Sequence, residues 1–203
     1  VGPILRRMTP EQVWDSFITL AVFDPDKYQP EPARLQTKVL DLDLTKATAA
    51  EIFERDNELR ELQSTKVRDA RNKPYTYEGQ LLAYASELPA PMPANHFLRQ
   101  FGQSDRESIE GMSRDGSVPQ VLQMFNGKIT HMILHEKSLM YKTVTEGEKP
   151  EDRVNIIFMT ILSRRPTDEE RQIAMGEIKA HGNGGYGNVI WSLVNTREFL
   201  FIQ

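Results

Sequence analysis

Three short segments have the residue pattern that begins an α-helix, and they constrain the fold more than any other feature of the sequence. A hydroxyl residue is followed three positions later by Gln or Glu at Thr9, Thr48 and Thr167. In this pattern the hydroxyl and the longer side chain bond the free backbone amides of the first helical turn, and a proline such as Pro10 fits the first helical position. The segments predict helices over about 10–22, 49–64 and 168–180.

Further helices follow from apolar residues at helical spacing between turn residues. The segment from Val154 to Leu162 is apolar nearly all round, which predicts a central, deeply buried helix. We expect Val154, Ile157, Phe158, Ile161, Leu193 and Val194 to be among the most buried residues. The additional helices are predicted over about 77–88, 94–101, 118–126, 128–143, 150–162 and 187–199.

Between the first and second helices the sequence favours irregular structure. Prolines at positions 25, 30 and 32 prevent a regular helix, residues 39–44 alternate as a short strand would, and the basic segment 66–74 is typical of a loop. The predicted fold class is therefore mainly α, an irregular bundle of about seven or eight helices with a less ordered arm. The predicted organisation is a helix over 1–23 that packs on the bundle, an irregular arm over 24–75 with one exposed helix, and a C-terminal bundle over 76–203.

Composition excludes several classes of chemistry. The chain has no cysteine, so it has no disulfides, thiolate nucleophile, iron–sulfur ligation or covalent haem attachment. The net charge of -4 gives no overall positive field, and we predict no nucleic-acid partner. The apolar run at 156–162 is far shorter than the ~20 residues of a membrane span, so none is predicted.

Two motifs suggest a metal or an anion but lack the rest of their sites. His131 and His135 have the spacing that lets two helical imidazoles bind one metal, yet no third ligand is identifiable. The glycine-rich segment 181–187 lacks the preceding strand and the lysine of a phosphate loop, so we interpret it as an interhelical turn. No serine lies in a nucleophile motif. We predict no catalytic residue, no metal site and no cofactor.

The segment from His96 to Arg106 is the most unusual polar cluster. Its candidate residues form either a recognition surface or an internal clasp, because bidentate arginine–carboxylate pairs serve both purposes. We favour the clasp, in which Arg99 or Arg106 pairs with Asp105 or Glu107 and braces the segment. The candidate binding or clasp residues are His96, Arg99, Gln103, Asp105 and Arg106.

Several motifs in fixed order carry a resemblance to a known family. They are the segments 6–12, 96–106, 117–120 with 126–127, 162–167 and 191–199. Together they resemble the C-terminal domain of unknown function found in large planctomycete proteins, many of which have an upstream cytochrome-c-type haem segment. The resemblance implies an exported, multidomain parent protein and brings no established activity.

Two functions remain open at this point. The first is a non-catalytic interaction or scaffolding domain that binds other domains of its parent protein. The alternative is an accessory domain that completes a redox or carbohydrate-directed active site supplied by an N-terminal part. A pocket in which His96, Arg99 and Asp105 converge would favour the alternative, whereas an exposed apolar face would favour docking.

Overall fold

The computed structural model of the chain describes residues 6–28, 30, 41–103 and 118–202. This part of the chain is mainly helical, which confirms the predicted fold class. The α-helices are α1 (Pro10–Ala21), α2 (Ala49–Leu62), α3 (Thr65–Asn72), α4 (Phe97–Gln100), α5 (Val118–Asn126), α6 (Lys128–Leu134), α7 (Leu139–Thr145), α8 (Pro150–Leu162), α9 (Asp168–His181), α10 (Asn183–Val194) and α11 (Arg197–Leu200). Four two-residue strands accompany them, β1 (Arg6–Arg7), β2 (Thr76–Tyr77), β3 (Gln80–Leu81) and β4 (Phe201–Ile202), with 3₁₀ turns at Pro25–Lys27, Lys73–Tyr75 and Ala85–Glu87.

The chain divides into two compact units. The first comprises Val1–Phe23 and Pro89–Gln203, and the second comprises Asp24–Leu88. In the first unit, β1 pairs antiparallel with β4, and the backbone amide of Met8 donates to the carbonyl of Leu200 at 3.0 Å. The N-terminal segment of this unit is therefore hydrogen-bonded to its C-terminal segment.

The core of the first unit surrounds α1 and α8. The rings of Trp14 and Phe17 on α1 are fully buried and lie 5.7 and 5.8 Å from the ring of Phe97. Phe17 also lies 5.5 Å from the ring of Phe199. The six residues predicted to be most buried are at most 8% exposed, which confirms that prediction. Helix α8 is nevertheless one-sided, because Met159 is 49% exposed.

The predicted helix starts are confirmed. The side chain of Thr9 accepts a hydrogen bond from the amide of Gln12, and the Gln12 side chain accepts from the amide of Thr9. Thr48 and Thr167 form the same reciprocal pattern at the starts of α2 and α9. Helix α2 buries none of its residues, which confirms the exposed helix predicted in this region.

In the second unit, the structure differs from three predictions. The basic segment predicted as a loop forms α3, because the Ser64 side chain caps the amide of Val67 and no glycine or proline interrupts residues 65–72. The segment 77–88, predicted as a helix, instead contains most of the β2–β3 hairpin, which spans residues 76–81, and the 3₁₀ turn at Ala85–Glu87. The turn of the hairpin places both Glu78 and Gly79 at positive φ, the geometry of tight hairpin turns. The described part of the predicted strand, residues 41–44, consists of turns and irregular backbone.

In the first unit, the helices predicted over 94–101, 128–143 and 187–199 have different bounds, and the first of them is only Phe97–Gln100. The helix predicted over 128–143 is two helices, because the Ser138 hydroxyl donates to the carbonyl of Ile133 and caps the amide of Tyr141, which starts α7. In the glycine-rich segment, predicted as an interhelical turn, only Gly182 is a turn, and residues 183–187 form the first turns of α10. A Cβ at Gly185 would lie 2.6 Å from the Cα of Ile178, so glycine at this position permits the close approach of α9 and α10.

Candidate functional site

His96 belongs to the core and begins α4. Its Nδ1 atom accepts a hydrogen bond from the amide of Leu98 at 3.2 Å, and its ring lies 4.8 Å from the ring of Trp14. The side chain is buried, and this burial lowers the pKa of His96 to about 4. The imidazole is therefore neutral at physiological pH, which its role as a hydrogen-bond acceptor requires.

Two other predicted residues brace the same segment. The amide of Met92 donates to Oε1 of the buried Gln103 at 3.2 Å, and Nη1 of Arg99 donates to the backbone carbonyl of Gln103 at 3.2 Å. Asp105 and Arg106 lie outside the described residues, as does Glu107. The proposed pairing of the arginines with these acids therefore stays a prediction.

The predicted histidine pair does not share a helix. His131 is exposed on α6, whereas His135 lies past the end of α6 with extended backbone, and its Nδ1 accepts from the amide of Lys137. The i, i+4 spacing consequently lacks the helical geometry that would direct both rings to one ion. Within the described ranges, no group of three or more metal-ligating side chains is close enough to hold a metal ion. Likewise, none of the helices in these ranges is long and apolar enough to cross a membrane.

An arginine clasp does occur in the structure, at Arg164 between α8 and α9. Nε and Nη2 of Arg164 donate to the two carboxylate oxygens of Glu198 at 2.6 and 2.7 Å. Nη2 and Nη1 donate to the two oxygens of Glu170 at 2.7 and 2.8 Å, and Nη1 also reaches the backbone carbonyl of Arg165 at 3.1 Å. All five guanidinium N–H groups are therefore bonded, and the loop before α9 is joined to α11.

The electrostatics of this clasp are those of a shared cation. Hydrogen bonds from Arg164 lower the pKa of both carboxyl groups, that of Glu170 to about 2. Hydrogen bonds to the two carboxylates raise the pKa of Arg164. From the sequence, Arg164 and Glu198 belong only to resemblance motifs and Glu170 only to the helix start at Thr167. Their separation in the chain hides the pairing. We assign the clasp a structural role.

An open apolar groove lies along α9 and α10. Its volume is about 430 Å³, and its lining includes Phe158, Ile173, Ala174, Val189 and Trp191. Ile173 stands on α9 with 67% of its surface exposed, which is unusual for a large aliphatic side chain. The groove is therefore an exposed apolar surface with few polar groups.

The exposed apolar surface continues from the groove onto α5. The indole Nε1 of Trp191 donates to the backbone carbonyl of Phe125 at 3.0 Å, and the two rings lie 5.3 Å apart. Further along α5, Val118, Val121 and Leu122 are exposed. We name the surface formed by the groove, Phe125 and this face of α5 the apolar strip. Sequence reasoning missed it because these residues have the same helical spacing as core residues.

Comparison with known proteins gives a family and no activity. Residues 2–177 match the family model of PSD1, described as a protein of unknown function (DUF1553). No curated protein matches the chain, and no solved structure matches it.

Proposed function

We propose that this chain, which belongs to the PSD1 family of proteins of unknown function (DUF1553), is a non-catalytic interaction domain. Its partners are other domains of an exported, multidomain parent protein. The observation that carries this proposal is the apolar strip, because monomeric proteins rarely expose contiguous apolar surface of this kind without a partner. Planctomycete origin, export and an upstream haem segment belong to the proposal through the resemblance alone.

The centre of the proposed docking surface is Ile173 and Trp191. Large aromatic and aliphatic side chains at the middle of an interface contribute most of its binding free energy, and the rim serves mainly to exclude water. Glu177 at the edge of the groove accepts a hydrogen bond from Asn188 at 2.6 Å, so that part of the rim is already ordered. The groove therefore presents a preformed apolar centre inside a polar border.

The alternative of an accessory domain for an active site receives less support. Its candidate residues include His96 and Arg99, whose contacts include Trp14, Leu98 and the backbone of Gln103. These contacts brace the chain segment. We therefore prefer docking, in which the chain contributes affinity and position to the parent protein and performs no chemistry.

A binding titration in trans tests the proposal. The chain carries a fluorescent label and is titrated with the remaining domains of its parent protein, expressed separately. We expect Ile173→Glu to weaken association by about 30-fold or more, the effect of losing an interface hot spot. The matched control is Gln172→Glu, which adds the same charge at the neighbouring exposed position of α9. Equal affinities for the two variants would contradict docking through the strip.

A further inference from the structure

A second pocket of the first unit, distinct from the apolar strip, lies where α6, α7, α8 and α10 meet. Its volume is about 350 Å³, within the range of small-molecule sites. The buried side chains of Ile133, Val144 and Ile190 line it and give it an apolar floor. Tyr141, Tyr186 and Arg153 also line it.

The arginine of this pocket has no counter-ion among the described residues. Nε of Arg153 donates to the carbonyl of Gly147 at 2.9 Å, and its guanidinium carbon lies 5.5 Å from the centre of the Tyr186 ring. Among the residues that the structure describes, no carboxylate lies within 4.0 Å of this guanidinium. By contrast, the partly buried Arg164 has two carboxylate partners. Arg153 is thus a fixed, half-buried cation beside an apolar cavity.

Glycines keep the pocket open on the α10 side. Gly184 and Gly187 both line it, and a Cβ at Gly187 would come no closer than 3.9 Å to the nearest atom, Cδ2 of Leu134. A side chain at position 187 is therefore directed toward another lining residue and into space that the protein leaves empty. Helix α10 itself does not require glycine at this position, because other residues except proline have a higher helix propensity than glycine.

We propose that this pocket binds a small amphipathic anion. The anionic group, a carboxylate or a phosphate, pairs with the two Nη atoms of Arg153, since a guanidinium binds both groups through two parallel hydrogen bonds. The apolar body of the ligand lies against Ile133, Val144 and Ile190, where it displaces water from the floor. The site is separate from the docking surface and does not depend on it.

Titration with octanoate, followed by methyl NMR of the whole chain, tests the proposal. We expect saturable shifts at the methyl groups of Ile133, Val144 and Ile190 and none at Ile173, which lies in the other groove. Octyl phosphate should bind as well. Binding of both ligands would show that the pocket recognises a negative charge and is not specific for the carboxylate headgroup. The affinity for the uncharged 1-octanol should be lower by about tenfold or more, because this molecule cannot form an ion pair with Arg153.

Two variants test whether octanoate binding depends on the open pocket and on the charge of Arg153. Gly187→Leu leaves Arg153 and its bond to Gly147 intact but fills the pocket, so octanoate binding should disappear while the melting temperature is unchanged or higher. Arg153→Met should weaken octanoate about tenfold, with the exposed Arg165→Met as the control for lost charge.

The proposal can be refuted even if one of the two variants does not fold. If Arg153→Met does not fold, Gly187→Leu still decides between a filled and an open site. Octanol binding as tightly as octanoate, shifts centred on Ile173, undiminished binding to folded Gly187→Leu, or the absence of saturable shifts with octanoate would each overturn the proposal.

Discussion

Removing the guanidinium at position 164 should destabilise the first unit by breaking the link between the loop before α9 and α11. Arg164→Met keeps much of the side-chain length but removes four hydrogen bonds of 2.6–2.8 Å to Glu170 and Glu198. The side chains of Arg164, Glu170 and Glu198 are 35%, 33% and 46% exposed. The effect should therefore lie between that of a surface pair and that of a buried one, at about 1–2 kcal/mol of unfolding free energy.

The assay is urea unfolding of wild type and variant, with Arg165→Met as the matched control. Arg165 is the neighbouring arginine and is exposed, so its loss should change the free energy of unfolding by no more than about 0.5 kcal/mol. Glu198→Gln combined with Arg164→Met should be less destabilising than the sum of the two single changes, because both remove the same interaction. Equal stability of the Arg164 and Arg165 variants would refute the reasoning.

The difference in unfolding free energy between wild type and Arg164→Met should become smaller at acidic pH. Hydrogen bonds from Arg164 depress the pKa of Glu170 from its ordinary 4.5 to about 2, so the folded state favours the charged carboxylate. This contribution is fully present above about pH 4.5 and is lost as the pH falls toward 2. The stability gap between wild type and Arg164→Met should narrow over that interval. A gap that is constant or widens on acidification would contradict the assignment.

Three further predictions concern the core and the helix contacts. Phe158→Ala should cost about 3–5 kcal/mol in urea unfolding, because the ring is 3% exposed, and an unchanged midpoint would contradict its burial. His96 should remain neutral at pH 5 in an NMR titration, because burial lowers its pKa to about 4, and a midpoint near 6.5 would contradict the core assignment. Since the folded pKa is below the ordinary value of 6.5, the stability that His96 provides should fall as the pH drops from 6.5 to 4. Gly185→Ala should lower the melting temperature, because its Cβ would lie 2.6 Å from the Ile178 Cα, whereas Gly184→Ala, which meets nothing within 4 Å, should leave it unchanged or raise it.

Local signals predicted the helices that have side-chain caps, because such signals lie within a few residues of each other. Thr9, Thr48 and Thr167 each cap the helix that the sequence assigns to them. The hairpin at Glu78 and Gly79 was missed, because a Glu-Gly turn lacks the Asn or Asp that usually indicates two consecutive positive φ angles.

Where tertiary contacts decide the structure, sequence patterns were insufficient. The glycines after His181 predict a turn by propensity. Gly185 is instead a helical residue, and its lack of a side chain permits the close contact of α10 with Ile178. The Arg164 clasp unites residues whose sequence separation gives no signal. The outward direction of Ile173 and Phe125 could not be predicted either, since their spacing is equally that of a buried face.

Side-chain oxidation footprinting measures the central claim, that the apolar strip is covered by other domains of the parent protein. Hydroxyl radicals modify exposed side chains, so the chain alone should be oxidised at Ile173 and Trp191. When the remaining parent domains are added at saturation, we predict that oxidation of Ile173 and Trp191 falls severalfold, while that of Met159, which is 49% exposed on α8 outside the groove lining, is unchanged. Equal oxidation of Ile173 and Trp191 with and without those domains would contradict the account.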